Sequence, residues 1–346
     1  MGTKKSQSYP ITVCAVIIVA VLCMLTLSRA IAEEAEQNDT IPVKEQNRSV
    51  SQTEPNDPNA PPSSPTQDNE ASEDPNQPPA EDENGDSMMP DLGDIDKLNT
   101  LFGRIFNEQF IAENGGADYA QLRRKRVDLL KAVNAIETLH PAILMSLSKE
   151  ERIAFWINTY NTCTLKLIID NYPIQAKWYM IVYPSNSIMQ IPGAWDKVFF
   201  KIMGLEYNLK EIRFETLLDR YKDPRICFAL NDVARGGALL RNEPIQAKKL
   251  DEQLDDQVRR FLAVTQGVRL DIPNNTVYLS NLFSMNKSVF LASEYAAILK
   301  FRTRKLEERA WLNFLFKYLP PKEAAWLDSN DVTIRFIDYD WNLNEK

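Results

Sequence analysis

An aspartate, Asp232, stands just after a short apolar run at residues 226–230 and is followed by Val233, Ala234, Arg235 and the pair Gly236-Gly237. A carboxylate at the end of a buried segment can act as a general base. Arg235 and two successive glycine amides behind it are the parts of an anion-holding loop. The same letters also make an ordinary turn, because Asn-Asp followed closely by Gly-Gly suits chain reversal. Upstream, Asn158 and Asn161 lie three residues apart and share one flank of a helical apolar stripe. Two amides at such an edge need partners, since a buried unpaired polar group costs about 1–3 kcal/mol. They either pin neighbouring loops or join Asn231, Asp232 and Arg235 in lining a cleft.

Thiol and imidazole chemistry has little to draw on. Cys14 and Cys23 fall in an N-terminal apolar run, which leaves Cys163 and Cys227, both in strongly apolar contexts. Burial disfavours a thiolate and raises the thiol pKa, so both read as small hydrophobes. A Cys163–Cys227 disulfide is the alternative for an exported protein. The single histidine, His140, precedes Pro141 at a helix boundary and reads as a cap or a solvated residue. No zinc-ligand spacing is present, and no cofactor is expected.

The elements that would position these groups are mostly helical at first. Residues 94–113 and 119–137 carry amphipathic periodicity, the second with Arg123, Arg124 and Lys125 off its apolar face. That basic cluster reads as a solvated face, with contact to an anionic surface as the alternative. A third helix opens with a capping box, Ser148 with Glu151, and runs to Asn171, before the Tyr172-Pro173 step. Residues 198–203 and 205–209 read as a hairpin around Gly204, residues 209–221 as a short helix, and 226–230 as a buried strand. A charged helix at 246–264, a hairpin at 268–272 and 276–279, helices at 305–318 and 322–327, and a strand at 332–339 complete the series. Helices followed by hairpins mixed with helices define one helix-rich α+β domain over residues 91–346, with short mixed or antiparallel strands.

Charge and composition separate that domain from what precedes it. The chain has 346 residues and a formal net charge of −8. Residues 33–90 carry 15 acids, two bases and half of the 20 prolines, so the folded part is close to neutral. This composition predicts a disordered, extended linker. A near-neutral domain gives no footprint for nucleic acid. Residues 1–32 hold Lys4 and Lys5, a 17-residue apolar run at 11–27, and Ala30-Ile31-Ala32 before Glu33. This is the form of a cleaved signal peptide. An uncleaved anchor, with membrane association through residues 11–27, is the rival, and a lipoprotein at Cys23 is disfavoured by Leu22. Each outcome places the domain outside the cytoplasm, secreted, periplasmic or membrane-anchored.

Five ordered blocks carry a family resemblance: Glu151-Arg152-Ile153-Ala154-Phe155-Trp156-Ile157-Asn158-Thr159-Tyr160-Asn161; Ile191-Pro192-Gly193-Ala194-Trp195-Asp196; Tyr207-Asn208-Leu209; Asp223-Pro224-Arg225 with Phe228-Ala229-Leu230-Asn231; and Tyr339-Asp340-Trp341-Asn342-Leu343-Asn344. Together they resemble DUF547, a domain of unknown function. The resemblance implies Trp156, Asn158, Tyr160, Asn161, Arg225 and Asn231 as retained scaffold residues; Asp232 and Arg235 are candidates from the residues themselves. It also implies His where this chain has Cys227, Cys where it has Asp232, a second Cys followed by Pro-Pro around 237–239, Glu-His at Arg213-Phe214, and aromatic residues near Met285-Asn286. A Cys with a nearby His and an acid is the composition of a nucleophilic thiol site. This chain lacks those thiols and imidazoles.

Three functions follow as expectations. One is a non-catalytic binding or scaffolding domain, a pseudo-enzyme with a small-molecule or protein ligand. A second is a hydrolase-like or transferase-like enzyme with Asp232 as general base. The third is a structural envelope protein. The export reading has a direct check: N-terminal sequencing of protein from the source cell is expected to begin at Glu33, and intact Met1 in the soluble cytoplasm would exclude it.

Overall fold

The computed structural model describes residues 94–346; the leader expected at 1–32 and the linker expected at 33–90 lie outside the described residues. Helix α1 (Ile95–Ile105) starts where Asp94 Oδ1 accepts from the Lys97 amide at 2.9 Å. It buries Leu98, Leu101, Phe102 and Ile105 and ends well short of residue 113. The next helical stretch is broken in two, α2 (Tyr119–Arg124) and α3 (Val127–Thr138). The break lies inside Arg123-Arg124-Lys125-Arg126, four bases that are all exposed. Helix α4 (Pro141–Ser146) has His140 as its cap, with Nδ1 accepting from the Ala142 amide at 3.1 Å.

Helix α5 (Lys149–Asn171) is the central column. Its capping box forms as the sequence requires: Ser148 Oγ accepts from the Glu151 amide at 3.1 Å, and Glu151 Oε2 from the Ser148 amide at 2.8 Å. Every residue from Ile153 to Leu165 is buried, so the helix is enclosed on all sides and not only along a stripe. A helix surrounded in this way must satisfy its polar side chains internally.

Strands β1 (Phe199–Ile202) and β2 (Leu205–Asn208) form an antiparallel hairpin. Its two-residue turn puts Met203 at φ 52° and Gly204 at φ 76°, the left-handed pair that matches strand twist. A continuous helical segment follows: α6 (Leu209–Glu211), a π-helical stretch (Ile212–Leu218) and α7 (Asp219–Tyr221). Helix α8 (Leu250–Ala263) leads to β3 (Val268–Asp271) and β4 (Thr276–Ser280). Three short helices, α9 (Asn281–Met285), α10 (Lys287–Ala292) and α11 (Glu294–Ala297), then carry the chain to α12 (Leu306–Tyr318), α13 (Pro321–Ser329) and β5 (Thr333–Ile337). Strand β4 pairs antiparallel with β3 and parallel with β5. The domain is a helix-rich α+β fold with two small sheets. Among the described residues no helix is long and apolar enough to cross a membrane.

One expected element is replaced. Residues 226–230 do not form a strand; Pro224–Phe228 is a 3₁₀ turn. Asp223 Oδ1 accepts from the Arg225 amide at 3.0 Å, and Pro224 holds the first position. A short apolar run has no readable period, so the capping Asp and the fixed φ of Pro decide the conformation. The run is still fully buried. Phe228 is the hub of an aromatic cluster, with ring centroids 5.3 Å from Phe261, 5.5 Å from Phe283 and 5.4 Å from Phe314.

Two amides of α5 fix the loops that surround this turn. Asn161 Nδ2 donates to the Ala229 carbonyl at 2.9 Å, and its Oδ1 accepts from the Asn231 amide at 2.9 Å. Asn158 makes the same two-way contact with one residue, Nδ2 to the Ile245 carbonyl at 2.8 Å and Oδ1 from the Ile245 amide at 2.9 Å. Each amide thus replaces a backbone partner. Asn158→Ala and Asn161→Ala are each expected to lower stability by about 1–3 kcal/mol, read as a lower urea midpoint. Unchanged midpoints in both variants would show that the amides do not hold these loops.

Candidate functional site

The π-helical stretch after α6 directs Arg213 into the core, where its side chain is 6% exposed and that of Asp232 is 1% exposed. Arg213 Nη1 forms an ion pair with Asp232 Oδ1. Tyr160, from α5, donates its hydroxyl to the same oxygen at 3.2 Å and accepts from Arg213 Nη1 at 3.4 Å. Tyr339 donates to Asp232 Oδ2 at 3.1 Å. Asn286, after α9, accepts from Arg213 Nε at 3.3 Å and donates from Nδ2 to the Leu282 carbonyl at 2.7 Å. Five side chains from separate elements therefore meet at one buried charge pair. Arg213 Nη2 is buried without a protein partner.

The electrostatics favour a fixed protonation pattern. Burial opposes the charge on Arg213, but the Asp232 carboxylate more than compensates and the guanidinium pKa is raised. Burial, and then the neighbouring Asp232, push the Tyr160 and Tyr339 hydroxyls well above the usual tyrosine range. Both phenols stay donors, and Asp232 accepts from them and from Arg213. A carboxylate so enclosed has no exposed oxygen to take a proton from a substrate. The proposed general-base role of Asp232 is therefore at odds with its surroundings.

The backbone next to Asp232 is strained and clamped. Val233 has φ 50°, a left-handed conformation that is unusual for a β-branched residue. Asn231 Oδ1 holds the Val233 amide at 2.9 Å, and the Val233 carbonyl accepts from the Asn344 amide at 3.2 Å. Asn231 Nδ2 donates to the Ala238 carbonyl at 2.5 Å. Asn231 is thus wholly occupied in shaping the 231–238 loop.

The C-terminal residues lie over that loop. The Arg235 amide donates to the Asn342 carbonyl at 2.8 Å, Gly236 to Asp340 at 2.9 Å and Gly237 to Ala234 at 3.1 Å. These amides are therefore not an anion nest. The glycines are required for close approach instead: a Cβ at Gly236 would sit 2.6 Å from the Asp340 nitrogen, and one at Gly237 would sit 2.7 Å from the Tyr339 hydroxyl oxygen. Further along, the Ala117 amide donates to the Asn344 carbonyl at 2.8 Å and the Asn344 side chain donates to the Gly115 carbonyl at 3.1 Å.

The expected cleft does not bring its residues together. Asn158 and Asn161 border a space of about 10 Å³ with Phe106, Ala229, Leu240 and Ile245, room for one water at most. The Arg235 side chain is exposed. It borders a different cavity, of about 280 Å³, with Asn114, Gly115, Leu239, Asn344 and Glu345. Arg225 pairs with Asp223 at 2.7 Å, Asp251 at 2.8 Å and Asp255 at 2.9 Å, which fastens the 3₁₀ turn to α8. Asp255 also accepts from the Tyr318 hydroxyl at 2.8 Å. Only Tyr160 and Asp232 of the expected residues share the buried centre. Arg213, Asn286 and Tyr339 complete it without having been expected. The readable signal was a pairing of changes: against the DUF547 pattern, a base stands at 213 and an acid at 232.

Cys163 and Cys227 are free and buried, so the disulfide alternative does not form. Burial pushes both thiols up to about 12, and in Cys227 it outweighs the opposing pull of Arg213.

The fold and this centre define a helix-rich α+β domain organised around a sealed ion pair. Residues 144–262 match the family described as "Protein of unknown function, DUF547", so that stretch of the chain is similar to DUF547. The match includes four of the five blocks named above; the fifth, at 339–344, lies beyond it and packs against the 231–237 loop. No curated protein and no solved structure matches the chain.

Removing one partner of a buried pair leaves an uncompensated charge, with a cost of about 3–5 kcal/mol. Arg213→Met and Asp232→Asn are each expected to lose stability on that scale in urea denaturation, and the double variant to lose clearly less than the sum. Additive losses below about 1 kcal/mol each would show that the pair does not organise the centre.

Proposed function

We propose that this chain is a non-catalytic, extracytoplasmic binding or scaffolding domain in which a DUF547 site has become a structural ion pair. The observation that carries the reading is the enclosure of Asp232. The residue where the resemblance implies a thiol is here a carboxylate held by Arg213, Tyr160 and Tyr339. Neither Cys163 nor Cys227 offers an accessible thiolate, and His140 is a helix cap outside this centre. A ligand would be met on the surface around the clamped loops, not at Asp232.

The test is a panel of ester, thioester, amide and phosphoester substrates with the full-length chain, run beside a thermal-shift screen of small molecules. No turnover above the buffer rate is expected, together with at least one compound that raises Tm. Saturable turnover that is lost in Asp232→Asn while the circular dichroism spectrum is kept would make the domain an enzyme. A screen without any stabilising compound would remove the small-molecule reading and leave a protein ligand or the structural envelope role.

A further inference from the structure

We propose that the loop at residues 178–182, together with the basic run at 123–126, is a docking face for an anionic lipid bilayer. Trp178 is 86% exposed, Ile181 75% and Val182 81%, with Tyr179 also exposed beside them. Isolated exposed hydrophobics are ordinary, but four within five residues form a patch that needs a reason. The loop is not loosely placed. Gln190, itself 2% exposed, accepts from the Lys177 amide at 2.7 Å and donates to the carbonyls of Met180 at 3.0 Å, Tyr183 at 3.2 Å and Pro184 at 3.2 Å. A buried amide thus shapes the backbone while the large apolar side chains point to solvent.

The chemistry of the patch and its surroundings selects the partner. Trp and Tyr suit the headgroup level of a membrane, and Ile and Val suit the acyl boundary. From Asn171 to Trp195 the chain has no acidic residue and one base, Lys177. Arg123 donates to the carbonyl of Tyr172, at the exit of α5 into this segment, which sets the four exposed bases of α2 and its break at the loop's root. Val127, 60% exposed, follows them directly. The acids close by have partners: Asp170 has Lys166, Glu345 the Tyr172 hydroxyl, Asp118 the Gln121 amide at 2.8 Å, and the partly exposed Asp128 has Arg104 at 3.8 Å. A hydrophobic groove on a protein would account for the loop alone. The adjoining bases are what an anionic headgroup layer would meet, each contributing roughly a fivefold gain in binding.

The test is tryptophan quenching in the full-length chain with vesicles of phosphatidylcholine and phosphatidylglycerol, with and without brominated acyl chains. All six tryptophans lie at or beyond Trp156, so insertion of residues 11–27 would give no signal by itself. Brominated anionic vesicles are expected to quench emission. Trp178→Phe should remove that quenching, and Arg124→Gln/Lys125→Gln/Arg126→Gln or high salt should weaken it. These positions are exposed, so unchanged melting temperatures would verify that the variants fold. Equal emission with brominated and plain lipid, or quenching that survives Trp178→Phe, would overturn the proposal and leave the loop to a protein partner. Quenching of equal size in phosphatidylcholine alone would overturn the role of the basic run.

Discussion

An arginine and an aspartate that are both out of water must be held against each other and fully supplied with hydrogen bonds, or the fold pays several kcal/mol for each charge. Arg213 and Asp232 meet that condition, except at Arg213 Nη2, through side chains drawn from distant parts of the sequence. Tyr160 comes from the central helix, Asn286 from the end of a short helix after β4, and Tyr339 from beyond the last strand. No two of these elements can move apart without exposing a charge or orphaning a hydroxyl. The pair therefore sets where α5, the π-helical stretch, the 231–238 loop and the C-terminal residues must sit.

The domain needs little sheet because side chains near this centre supply the bonds that a sheet would. Its two sheets have two and three strands, and buried loops join many of its helices. Buried loops carry backbone groups that need partners. Here asparagine side chains supply them: Asn158 for Ile245, Asn161 for Ala229 and Asn231, and Asn231 for Val233 and Ala238. The residues after β5 supply the rest, lying close enough over Gly236 and Gly237 that a methyl group at either would collide. The left-handed Val233 is tolerated because bonds on both its sides fix it. Tyr339 also packs at a tilt against Trp341, with ring centroids 4.4 Å apart, and Trp341 meets Tyr183 edge-on at the end of the exposed loop, so the surface patch and the buried pair share one aromatic path.

The relation to DUF547 has a physical meaning at this centre. Where the resemblance implies a thiol and imidazoles, the chain carries an ion pair and a buried cysteine. Arg213 lies near Cys227 and pulls its pKa down, yet burial dominates and the thiol stays protonated. A guanidinium already matched to a carboxylate has little field left to stabilise a second anion.

The sequence by itself determined what depends on local chemistry. The capping box of Ser148 and Glu151, the turn at Gly204, the hairpins, the cap at His140 and the burial of Cys163 and Cys227 follow from residue types within a few positions of each other. The loop-pinning alternative for Asn158 and Asn161 was legible because a buried amide must find partners somewhere. Tertiary structure decided the rest. Residues 226–230 are apolar throughout, and such a run is equally compatible with a strand or a turn until Phe228 finds its aromatic neighbours. Arg235 is four positions from Asn231 yet faces another cavity, since Val233 reverses the chain between them. Arg213 and Asp232 are 19 residues apart, and Tyr339 a further 107. Their charges and hydroxyls are visible in the letters, but whether they meet water or one another is set only when the chain closes around them.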